Sequence, residues 1–180
     1  MRDLMQDVET LGVRSGSVLP ALGAAFFDAE TGEIGATFYR EINIASSLAL
    51  GATTDASTLD WWKKQKPEAQ ALIFNTLSGG VSLTCALADY REFIAAHCPL
   101  KSVRIWGNGA DFDQALVAAA YHQVGQQPPW TPWNSRCFRT LKNLYPGHEP
   151  TREGVHHNAL ADALHQAKWA VAILRNRRAV

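Results

Sequence analysis

The sequence predicts an α/β protein: a mixed sheet of three antiparallel strands plus a further strand, flanked by helices. Three observations predict it. Apolar and alternating runs separated by turn residues fill residues 1–42, the pattern of a strand meander. Helical spacing then takes over from about residue 57, and one isolated alternating stretch, Ser102 to Trp106, interrupts it as a single later strand.

Taken in order, Leu4 and Met5 lead into a short first strand that carries Asp7 and Glu9, and Gly12 to Ser17 makes a polar turn. Val18 to Phe27 reads as a buried strand, with Pro20 marking an edge or a bulge near its start. Asp28 to Glu33 is a turn cluster, and Ile34 to Ile42 resumes the alternation. Residues 43–56 lack periodicity and read as a loop. Asp55 or Ser57 can cap a helix through Trp61 and Trp62, and Pro67 suits the first turn of the next helix. Gly79 and Gly80 break the chain before Leu83, Leu87, Tyr90 and Ile94 recur at helical spacing. The strand at Ser102 to Trp106 ends at Gly107-Asn108-Gly109, and Phe112 to Tyr121 is helical. A connector rich in proline and tryptophan precedes a helix around Arg136 to Leu144. His156 to Arg175 then makes a long final helix with Leu160, Leu164, Ala167, Val171 and Leu174 on its buried side.

The 180 residues suit one domain, 1–180, and can bury a substantial core. Seventeen acidic against seventeen basic residues leave no net charge, which disfavours a protein that coats nucleic acid by bulk electrostatics. Cys85, Cys98 and Cys137 are scattered and odd in number, as expected of reduced thiols in a cytoplasmic protein. No apolar run approaches the roughly 20 residues that span a membrane, so no membrane partner is expected.

Three acidic stretches carry the chemistry. On a strand, Asp7 and Glu9 project from one face, and two carboxylates so placed repel unless a hard divalent cation sits between them. Asp111 and Asp113 follow a strand end and a glycine turn, a junction where α/β proteins place ligands. His157 and Asp162 are five residues apart, about 140° round a helix. They cannot share a narrow stripe, so His157 is expected just before the helix proper and Asp162 inward from its first turns.

Asp7-Val8-Glu9, Asn108 to Asp113 and His157 to Asp162 together resemble the three exonuclease motifs of the DEDD superfamily, in its histidine-bearing DEDDh (DnaQ-like) branch. The order and spacing agree along essentially the whole chain. Trp61-Trp62, Trp106 to Asp113 and Arg136 to Leu141 are similar to phage and prophage exonuclease VIII-type proteins and to small 3′–5′ exoribonucleases. The resemblance implies a ribonuclease H-like fold and a 3′–5′ exonuclease that releases nucleoside 5′-monophosphates from single-stranded RNA or DNA 3′ ends. It implies Asp7, Glu9, Asp113 and Asp162 as ligands of two Mg²⁺ ions roughly 3.5–4 Å apart, with Mn²⁺ as a substitute, and His157 as the general base. Leu11, Gly12, Trp61, Asn108 and Phe112 are the implied substrate-binding residues, and a homodimer is implied by its frequency among relatives. Asp113 takes the motif position because it directly follows Phe112, whereas Asp111 and His156 are off register. Gln6 departs from the apolar residue usual in the first motif's strand.

Outside the motifs, Trp61 and Trp62 point about 100° apart on a helix, so one can stack on a base while the other packs inward. Arg136 and Arg139 read as structural more than phosphate-binding, and Trp130 and Trp133 as a packed connector or a subunit contact. Arg175, Arg177 and Arg178 suit a solvated helix end. A non-catalytic nucleic-acid-binding module of the same fold is the rival reading; it predicts loss of one of the five motif residues, and all five are present. A transposase-like endonuclease would not need His157.

Overall fold

The structure, a computed structural model, describes residues 1–154 and 156–177; Arg178 lies outside them. Alternation in residues 3–9 produces strand β1 (Asp3–Glu9), whose even positions Leu4, Gln6 and Val8 face one side while Asp3, Met5, Asp7 and Glu9 face the other. The turns after it return the chain through β2 (Ala21–Phe27) and β3 (Ile34–Glu41), both pairing antiparallel. A later strand, β4 (Arg104–Gly107), inserts parallel to β1 on its free edge.

The sheet has one strand more than the pattern predicted. Ser135–Cys137 forms β5, parallel to β4, giving the order β3-β2-β1-β4-β5. Arg136 is therefore a strand residue, and the helix begins only at Phe138. Gln114 fastens this edge: its side-chain amide donates to the carbonyls of Ile105 (3.2 Å) and Arg136 (2.7 Å).

Seven α-helices flank the sheet among the described residues. The stretch expected as a loop contains α1 (Ile44–Ala49), which Asn43 caps by accepting the Ser46 N–H. Then come α2 (Ala56–Trp62) and α3 (Pro67–Ser78), the latter entered at its proline. Helix α4 (Leu83–His97), capped by Ser82, and α5 (Asp113–Gln123) form the layer on the even face of β1. That layer buries Leu4, Val8, Leu87, Tyr90 and Val117 in one cluster. The unexpected Gln6 is accommodated there, because the Tyr90 hydroxyl donates to its side-chain oxygen at 2.8 Å.

The odd face of β1 receives α6 (Phe138–Leu144) and α7 (Ala159–Asn176), which bury Met5, Phe27, Trp106, Ala163 and Ala167. The last helix starts three residues later than the pattern's His156, because Asn158 caps it by accepting the Ala161 N–H at 3.0 Å. Asp3 on this face is structural: it pairs with Arg104 and accepts the Trp106 indole N–H at 2.7 Å, tying β1 to β4.

Gly23 decides how closely α7 approaches. A Cβ there would lie 2.3 Å from the backbone of Ala159 and Leu160, so only glycine lets the helix start rest on β2. Backbone cannot rotate out of the way as a side chain can. Gly23→Ala is expected to cost about 3 kcal/mol, read as a lower denaturant midpoint with an unchanged slope. A midpoint equal to that of the wild type would show that α7 is not seated as described.

Candidate active site

The carboxylates meet where the parallel strands end. Asp7 and Glu9 leave the same face of β1 near its C-terminal end, and α7 brings Asp162 down from its first turn. One oxygen from each lies within 4.8 Å of the others. Asp113 approaches from behind, as the first residue of α5 and nearly fully buried. It fits only because residue 107 is glycine, whose Cβ would sit 2.8 Å from the Asp113 Cβ. Asp113 stands outside the close trio, yet its charge bears on both Asp7 and Glu9. Asp111, the off-register aspartate, is exposed.

Electrostatics follow from this crowding. Burial, then the Asp113 charge, pushes Glu9 up to about 7. Burial likewise raises Asp113 to about 7, against the opposing backbone amides of Asn108, Asp113 and Val8. Asp7 is raised well above the usual carboxylate range by burial and by the charges of Asp113 and Glu9; a 2.7 Å hydrogen bond from the Gln166 side-chain amide pulls the other way. Glu9 Oε1 and Asp113 Oδ2 are buried without a hydrogen-bond partner among the described residues. Buried carboxylates with unused lone pairs are stable only if protonated or met by a cation. The oxygen-only donor set suits a hard divalent ion such as Mg²⁺ or Mn²⁺.

His157 precedes α7, as its angular distance from Asp162 required. It holds a left-handed backbone (φ 61°), uncommon for a residue with a Cβ, and its N–H donates to Asp162 Oδ2 at 3.1 Å. The ring stands edge-on to Trp61, with centroids 4.9 Å apart. Burial, then neighbouring His156 and Arg152, lowers its pKa below the ordinary value, which favours the neutral imidazole.

Asp7, Glu9, His157 and Asp162 line a cavity of about 690 Å³ that Asp113 does not border. Of the residues expected to bind substrate, Trp61, Asn108 and Phe112 border it. Leu11 and Gly12 do not: Leu11 packs with Val18, Ala21 and Ile44 in a buried cluster, and Gly12 is buried against the Thr10 side chain. The two tryptophans part as adjacent helical residues must. Trp62 is buried and donates its indole N–H to the Thr10 carbonyl at 2.9 Å, while Trp61 is 42% exposed at the cavity wall. Arg136 and Arg139 both donate to backbone carbonyls, Arg139 to that of Asn108. Trp130 is buried against Tyr121, whereas Trp133 is exposed.

Three residues escaped the motif reading, and a fourth, His156, was set aside by it. Gln166 lies four residues after Asp162, hence on the same helix face, a spacing from which it was recoverable. His156, one step off register, also borders the cavity. Lys142 sits over the rings of Phe138 and Trp169, 5.4 Å from each centroid. Arg152, in the irregular segment before α7, forms an ion pair with Asp162, and no sequence pattern marks it.

The sheet is ribonuclease H-like, and it gathers the trio of carboxylates at the C-terminal end of β1, with a histidine ahead of the last helix. The profile of the Rv2179c-like 3′–5′ exoribonuclease domain matches residues 2–174, and the chain belongs to that family. Among solved structures it is similar to the nuclease domain of 3′hExo, a DEDDh family member bound to rAMP (TM-score 0.64, 12% identity, 97% of this chain and 92% of that one). It is similar as well to a 3′-exonuclease that recognises the 3′ end of the histone mRNA stem-loop (0.66, 11%, 97% and 81%). A third is Exonuclease X in complex with 5′-overhanging duplex DNA (0.54, 15%, 97% and 92%). No curated protein matches the sequence. At these identities the structural likeness concerns the fold. Among the described residues no helix is long and apolar enough to cross a membrane.

Proposed function

We propose that the chain hydrolyses the terminal phosphodiester bond at the 3′ end of a single strand and releases nucleoside 5′-monophosphates. The observation that carries this reading is the trio Asp7, Glu9 and Asp162 gathered within 4.8 Å, with His157 bonded through its N–H to Asp162. Asp7, Glu9, Asp113 and Asp162 would hold two divalent cations, Mg²⁺ or Mn²⁺. When bound, such ions supply Lewis-acid activation of water and offset the phosphodiester's charge.

The remaining work falls to side chains. A ring nitrogen of His157 takes the proton of the attacking water; the edge contact with Trp61 and the bond between its N–H and Asp162 hold the residue in place. Gln166 holds one Asp7 oxygen and so orients the other. Trp61 offers a half-open aromatic surface to the terminal base. Asn108 and Phe112 border the same space. Leu11 and Gly12 are buried away from it.

The family's description favours RNA as the polymer. Three free thiols accord with a cytoplasmic setting, and a homodimer, read by light scattering, completes the proposal. The test uses matched 5′-labelled single-stranded RNA and DNA with Mg²⁺, with Mn²⁺ and with chelator. Shortening from the 3′ end that chelator abolishes, faster on RNA, is expected. A folded protein that shortens neither polymer would instead support the non-catalytic binding module.

A further inference from the structure

Among the described residues, Arg152 forms an ion pair with a carboxylate of the trio, Asp162. Its guanidinium pairs with Asp162 Oδ1, and the pair is sheltered, with the arginine side chain 24% and the aspartate 15% exposed. The positive charge also bears on Asp7, whose pKa it lowers. Other basic groups nearby are occupied: Lys142 lies over two aromatic rings, and Arg139 donates to the Asn108 carbonyl. Arg152 is not fully spent, because its Nε is buried with no acceptor among the described residues. A guanidinium carries five donors in a planar fork that matches phosphate oxygens two at a time.

Two cations held at the Asp162 carboxylate repel each other. An ion bound by the trio competes with Arg152 for that carboxylate, and the displaced guanidinium is left at the cavity wall, which it already borders. A phosphate entering the cavity is the acceptor it then needs. We propose that Arg152 is a phosphate-positioning residue that exchanges partners: it pairs with Asp162 in the metal-free protein and with a phosphate oxygen of the bound nucleotide when divalent cations occupy the carboxylates. The inference rests on the metal-dependent reading of the same site.

Exchange makes the two ligands cooperative. Phosphate captures the guanidinium and frees Asp162 for the ion, while the ion frees the guanidinium for phosphate; linkage requires the two effects to be equal. Arg152 thus opposes metal binding when no nucleotide is present and promotes it when one is. A residue that merely braces the loop would do neither.

The experiment measures Mn²⁺ binding by calorimetry on the full chain, with and without adenosine 5′-monophosphate, for the wild type, Arg152→Gln and Arg152→Lys. In the wild type the nucleotide is expected to tighten Mn²⁺ roughly tenfold. Arg152→Gln should bind Mn²⁺ alone roughly tenfold more tightly than the wild type and gain little from the nucleotide. Arg152→Lys keeps a point charge but loses the fork, so its Mn²⁺ affinity should stay near wild type while the nucleotide's effect shrinks. If Arg152→Gln does not fold, as judged by circular dichroism, the lysine variant decides, and an undiminished nucleotide effect there overturns the proposal. Unchanged or weaker Mn²⁺ binding by Arg152→Gln, with coupling intact, overturns it and leaves the metal site standing. Absence of Mn²⁺ binding by the wild type overturns the metal-site reading itself, and this inference with it.

Discussion

Replacing Asp113 with asparagine is expected to slow 3′-end shortening by roughly 10³-fold and, at the same time, to stabilise the metal-free protein at pH 8. The two effects have one origin. Asp113 is nearly fully buried, and its charge helps to raise Asp7 and Glu9, so at alkaline pH the metal-free fold holds several carboxylates that resist ionisation. Their folded pKa values lie above the unfolded ones. Their stabilising contribution is therefore complete below about pH 4 and is lost as pH climbs through about 7.

Asparagine keeps the shape and removes one charge, which relieves a few kcal/mol and raises the melting temperature by about 5–10 °C at pH 8. The gain should fade towards pH 5, where the carboxyl is already protonated in the fold. Mn²⁺ relieves the same repulsion in the wild type, so its thermal shift should be larger at pH 8 than at pH 6, and smaller in the variant. Scanning calorimetry at the two pH values, with and without Mn²⁺, reads all of this. A variant less stable than the wild type at pH 8 would mean that Asp113 is compensated within the protein, and the case for a cation would weaken.

The second large effect belongs to His157. His157→Ala is expected to lower the rate by about 10²–10⁴-fold at pH 7.5, the usual range for removing a positioned general base. The pH profile separates this from a structural loss. Burial and the charges nearby hold the wild-type imidazole below its ordinary pKa, so the wild-type rate should rise with pH at an inflection below that of an unperturbed histidine. The alanine variant should lose that limb while still binding Mn²⁺ through the carboxylates. Activity within about threefold of the wild type would remove His157 from the mechanism, and the burden would pass to His156, the exposed neighbour that also borders the cavity.

The parts of the site legible in the sequence were those where residue type and spacing carry geometry on their own. Asp7 and Glu9 share a face because strand side chains alternate, and His157 had to precede the helix because five residues turn too far round it. Asp113 was distinguishable from Asp111 by the motif register alone, and its burial agrees with that choice.

What escaped had no local signature. β5 is three residues long, too short for any period, and exists because β4 offers an edge. α1 spans six residues and depends on the Asn43 cap and on packing against α3. Leu11 and Gly12 follow the first motif closely, yet the turn after β1 buries them away from the cavity. Arg152 belongs to no element at all. Its meeting with Asp162 is set by how the chain returns from α6 to α7, a path that nearest-neighbour chemistry does not specify.

By itself, then, the sequence determined the α/β class and the faces of β1, whereas on α7 Ala159, Ala163, His165, Gln166 and Ala170 are buried in place of the expected Leu160, Leu164 and Leu174. The properties it determined follow from periodicities of two and 3.6 residues. Only the tertiary structure decided how close the acids stand, how far burial raises them, and which arginine and glutamine answer their charge. Distance and desolvation belong to groups far apart in the chain, and packing alone brings them together.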